Sequence, residues 1–136
     1  MAGQGSSFEH EAQRESWELT RQRQRHYVQA LLRRYLWLPG TPTRTSRHDR
    51  RLAKTLFARG IPLCIVEAAL LLTTVRRTFR SKDALPLPPI RSMYYFLPVV
   101  DEVLHDPTQQ DLEYVRYLEG KLSPLAEAKV RSMQSE

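Results

Sequence analysis

The chain has one cysteine, Cys64, and so no intrachain disulfide, which fits a reducing compartment and a cytoplasmic protein. Glycine is scarce, with 5 in 136 residues, and no period-two run marks a strand. A collagen-like, low-complexity or disulfide-stapled chain is thereby excluded. The longest apolar stretch, Ile61–Val75, holds Glu67 and stops at Arg76 and Arg77, short of the roughly 20 residues a bilayer demands. Met1–Ser7 has no basic segment followed by an apolar one, so no secretory leader is read there. Acidic residues are nearly missing from the middle: residues 21–91 contain only Asp49, Glu67 and Asp83.

Bases fill that middle. Residues 21–91 carry sixteen bases (+13), whereas residues 1–20 sum to −3 and residues 92–136 to −4. A basic centre between two acidic ends points to a polyanion partner. Seventeen of the 21 bases are arginine, whose planar fork suits phosphate, although a GC-rich genome raises arginine everywhere. Genome composition does not remove acids from 71 consecutive residues.

The pattern predicts an all-α fold, a compact bundle of about five helices around a central apolar helix 62–79. Residues 1–7 are expected to be a disordered tail, and 8–136 one helical domain with its core in 46–104 and acidic C-terminal helices over 108–133. A long helix is expected over Phe8–Leu36, with Tyr27, Val28, Leu31, Leu32, Tyr35 and Leu36 on one face. Ser46 with Asp49 forms a capping pair for a second helix, and Gly60 stops it. Leu85–Pro89 forces an extended linker. A fourth helix near Ser92 should be kinked by Pro98. Thr108 with Asp111 is read as another cap, followed by a helix ending at Gly120 and a last one starting at Ser123-Pro124.

Three constellations bear on function. The turn Arg59-Gly60-Ile61-Pro62 resembles the bend of a helix-turn-helix. However, Leu63, Cys64, Ile65 and Val66 then occupy the positions that should read base edges, so this helix is a poor reader. Phosphate contacts are instead expected from Arg44, Arg47, Arg50, Arg51, Lys54 and Arg59 around the second helix, and from Arg76, Arg77 and Arg80 at the end of the third. Third, Arg91 and Tyr94 could hold unpaired bases by charge and stacking, against the plainer reading of these aromatics as core.

Catalysis has little support. His10, His26, His48 and His105 are scattered, Cys64 is alone, and no glycine-rich phosphate loop occurs. No enzyme, cofactor, metal, membrane or small-molecule substrate is expected. The expected partners are DNA or RNA and a larger protein.

The residues Asp49, Leu52, Leu56 and Arg59-Gly60-Ile61-Pro62, then Val66-Glu67-Ala68-Ala69-Leu70, then Ile90–Phe96, together resemble the C-terminal helical domain of DnaD-like primosomal and phage replication proteins. The likeness covers about 60 residues. It implies an accessory role in replication or a mobile element, contact with single-stranded DNA through Arg91, Tyr94 and Tyr95, and a helicase-loading partner. The rival reading is a protein-interaction subunit of a larger nucleoprotein complex.

Overall fold

The computed structural model describes residues 3–134, with side chains from Glu9 onward. Five α-helices follow in chain order: α1 Gly3–Trp37, α2 Arg47–Ala58, α3 Leu63–Thr78, α4 Leu97–Leu104 and α5 Leu112–Gln134. Two 3₁₀ turns, Met93–Phe96 and Pro107–Gln110, complete them, and no strand occurs among the described residues. The fold is all-α and compact, as expected. Of the tail expected over residues 1–7, Met1 and Ala2 lie outside the described residues, and Gly3–Ser7 enter as backbone of α1.

Helix α3 is central because it is apolar almost all round. Ala68–Thr74 are buried without a break, and α1, α4 and α5 pack on it. Complete burial of a leucine such as Leu70 or Leu71 stabilises the fold by roughly 1.5–3 kcal/mol. The core takes Leu31 and Tyr35 from α1, Leu52 and Leu56 from α2, Val100 and Val103 from α4, and Leu118 and Leu122 from α5. Tyr35 meets Phe96 edge to face, with ring centres 6.0 Å apart.

Helix α2 is held at both ends. Its capping box is complete: Ser46 Oγ accepts from the Asp49 amide at 3.1 Å, and Asp49 Oδ2 accepts from the Ser46 amide at 2.9 Å. The other carboxylate oxygen accepts from the Met93 amide at 2.9 Å, so a buried Asp49 ties the start of α2 to the segment after the linker. At the far end Gly60 adopts φ 74°, which a side chain disfavours. Its amide reaches Phe57 O and that of Ile61 reaches Leu56 O, the paired bonds of a Schellman stop. Tyr27 pins this turn to α1 by donating to Ile61 O at 2.8 Å, and burial pushes its phenol up to about 12.

The central helix expected over 62–79 is α3, with Pro62 as its N-cap. Two proline expectations are corrected. Pro98 does not kink a helix: Met93–Phe96 is a 3₁₀ turn, α4 starts at Leu97, and Pro98 sits in the first turn, where its missing N–H costs nothing. Helix α5 runs unbroken through Gly120 and Pro124. The proline ring crowds the carbonyl four residues earlier, which belongs to Gly120, the residue whose backbone yields most easily. The expected Thr108–Asp111 cap also divides differently. Asp106 caps the 3₁₀ turn through the Thr108 amide, and Asp111 caps α5 through the Tyr114 amide.

Lys129 of α5 closes the C-terminus of α1. Its ammonium donates to Leu36 O at 2.7 Å, Leu38 O at 2.8 Å, Thr41 Oγ1 at 2.8 Å and Pro42 O at 3.3 Å. These oxygens include the unpaired carbonyls where the helix dipole favours a cation. Burial pulls Lys129 down to about 8.

Candidate nucleic-acid interface

Helix α2 is strongly amphipathic. Asp49, Leu52, Ala53 and Leu56 face the core. Arg47, Arg50, Arg51 and Lys54, at i, i+3, i+4 and i+7, therefore share its solvent face. Helix α1 runs beside it because Val28 and Leu32 must be buried.

That packing creates a cleft of about 350 Å³ lined by Arg21, Gln24, Arg25, Val28, Gln29, Arg50 and Lys54. Four cations converge there with no carboxylate in the lining. None of the four side chains has a hydrogen-bond or ion-pair partner among the described residues. Like charges gathered in a concavity raise the local positive potential, which a polyanion relieves.

Beyond the cleft the surface along α1 is mixed in sign, because Glu18, four residues after Arg14, shares the face of Arg14, Arg21 and Arg25. Arg21 also borders a second hollow with His10, Gln13, Arg14, Trp17 and Glu18. Arg14, Trp17, Arg21 and Arg25 stand at i, i+3, i+7 and i+11, one helical face about 17 Å long. Trp17 is 68% exposed, an aromatic surface between two arginines. This arrangement can neutralise phosphates and stack a base. Arg21, Arg25 and Trp17 are absent from the residues that sequence reasoning singled out. Arg21 and Arg25 share the i, i+4 signal of one helix face, but their convergence with Arg50 and Lys54 is tertiary.

The arginines at the end of α3 are placed differently. Arg76 makes a bidentate pair with Glu102 of α4, at 3.0 and 2.8 Å, which holds the guanidinium more basic than usual and the carboxyl below the usual range. Arg77 lies over the Tyr95 ring, donates to its hydroxyl at 3.2 Å and to Pro88 O. Arg80 donates to Leu85 O at 2.7 Å. These three hold the proline-rich linker and α4 against α3.

The remaining expected residues are exposed singly. Arg44 lies in the loop before α2, Arg59 caps the C-terminus of α2, and Arg91 precedes the 3₁₀ turn. Tyr94 and Tyr95 are about equally exposed, but only Tyr95 has ring partners, Phe96 and Arg77. Among the described residues no cluster of three or more His, Cys, Asp or Glu could hold a metal ion. No helix among them is long and apolar enough to cross a membrane.

Fold and surface together define an all-α bundle with an unneutralised basic cleft between its first two helices. No known protein family, curated protein or solved structure matches the chain, so the DnaD-like resemblance rests on the residues quoted for it.

Proposed function

We propose that this chain is a small nucleic-acid-binding accessory protein that grips the phosphate backbone through the α1/α2 cleft. The convergence of Arg21, Arg25, Arg50 and Lys54 on one carboxylate-free hollow carries this reading. Arg47 and Arg51 extend the contact along α2, and Trp17 supplies a stacking surface at its outer end. Such contacts favour affinity without base choice. The DnaD-like resemblance of residues 46–104 adds a setting, an accessory role in replication, recombination or a mobile element of the cytoplasm. A larger protein partner belongs to the same proposal, with α5 as its docking side, because Leu112 and Tyr117 stand exposed there; the helix itself is not acidic, since Glu113, Glu119 and Glu127 are outnumbered by Arg116, Lys121, Lys129 and Arg131.

The test is binding to labelled single- and double-stranded DNA and RNA over a salt series. The expected result is tight, sequence-tolerant binding at low salt that weakens steeply as salt rises. Absence of binding at low salt would overturn the proposal.

A further inference from the structure

We infer that two copies of this chain pair antiparallel through the outer half of α1, each placing its arm in an apolar groove of the other. Residues 9–23 form an arm whose side chains are all exposed. The buried half of α1 nucleates this stretch, yet the arm itself gains nothing from packing, which is where most helical stability in proteins comes from. A helix that is polar on most sides has little packing of its own to hold it.

The groove lies at the base of the arm. Leu19, Tyr27, Phe57 and Leu63 line a hollow of about 410 Å³, with Gln22, Arg23 and His26 on its rim. Leu19 belongs both to the arm and to the groove, the property a two-fold, self-complementary interface requires. Ala12, Glu15 and Leu19 stand at i, i+3 and i+7, so they share the helix face that bears the groove.

Charge selects the direction and the register. Residues 9–18 carry Glu9, Glu11, Glu15 and Glu18 against Arg14, while α1 from residue 21 to 34 carries five arginines and no acid. A parallel pair would set acid on acid and base on base. An antiparallel pair with its two-fold axis at Leu19 sets Glu15 opposite Arg23 of the second copy, twice. It also carries Ala12 to His26, at the mouth of the groove. Residues two apart on a helix point about 200° away from each other, so the Arg21/Arg25 side stays open. The dimer would thus present two phosphate-binding clefts. This inference does not depend on what those clefts bind.

The measurement is molar mass in solution by sedimentation equilibrium on the full chain. The wild type should be a dimer, and Leu19→Glu a monomer with unchanged helicity, since Leu19 is 53% exposed. Glu15→Arg alone and Arg23→Glu alone should each be monomeric. An equal mixture of those two variants should recover the dimer, because each 15–23 contact then joins opposite charges. A wild type that is monomeric at its highest soluble concentration overturns the inference, as does a dimer that Leu19→Glu leaves intact or a mixture that fails to re-associate. Nucleic-acid binding by the Leu19→Glu monomer at low salt separates failure here from failure of the proposed function.

Discussion

The arginines of α2 and those at the end of α3 look alike in sequence, both short basic runs on helices, yet the fold uses them in opposite ways. At α3, Arg76 meets the carboxylate of Glu102 at hydrogen-bond distance, while Arg77 and Arg80 donate to backbone oxygens of the linker. At α2, Arg50 and Lys54 face Arg21 and Arg25 across a cleft whose lining holds no acid. The first set fastens a loop. The second concentrates charge that nothing within the described residues cancels. Counting bases therefore says little about a binding surface, because what matters is which bases lack internal partners.

That contrast can be broken experimentally. The largest effect should come from replacing Arg21, Arg25, Arg50 and Lys54 together with alanine. If each meets one phosphate, the slope of log affinity against log salt on duplex DNA should shallow by up to about 3.6, at about 0.9 per phosphate. Thermal stability should hardly change, since these side chains make no internal bonds. An unchanged slope would move the interface elsewhere.

Lys129→Met should come next, and on stability alone. It takes the donor from the Leu36 carbonyl and one of two donors from that of Leu38, which keeps the Thr41 hydroxyl, so a loss of about 1–3 kcal/mol is expected in denaturant titration. Nucleic-acid binding per folded molecule should stay the same.

The complementary triple, Arg76, Arg77 and Arg80 to alanine, should shift the salt slope by less than about 1, the equivalent of one phosphate. It should loosen the linker, read as faster amide exchange around Leu85–Ile90. A slope change as large as that of the cleft variant would erase the distinction between the two regions.

The smallest effect concerns an acid. Burial raises the pKa of Glu67, Arg34 opposes the rise, and Glu119 adds to it. A carboxyl raised in the folded state contributes stability that is present below its unfolded value and is lost as pH rises through its folded value. Glu67→Gln should therefore gain thermal stability relative to wild type as the pH is taken from about 4 to neutral. A difference that does not vary with pH would argue against it.

Much of the fold could be read along the chain, in particular wherever the signal was local. The Ser46/Asp49 box acts within one turn, the Gly60 stop within two residues, and the apolar run of α3 announces a helix surrounded on all sides. Prolines were harder. Pro98 and Pro124 break or fit a helix according to where the first turn falls and what lies four residues back, and both depend on neighbouring elements. The site was least legible. Arg50 and Lys54 stood out by density, whereas Arg21, Arg25 and Trp17 sit on a mostly polar stretch without an apolar rhythm to orient them.

Hydrophobic spacing, caps and stops act over a few residues, so the chain alone determined that this protein is helical, roughly where its helices lie, and that its middle is basic. Only tertiary packing decided which cations remain free. Whether a guanidinium meets a carboxylate such as Glu102, a carbonyl such as Leu85 O, or another cation across a cleft depends on residues brought together from distant parts of the sequence. Electrostatic partnership acts across that distance, and no local pattern encodes it.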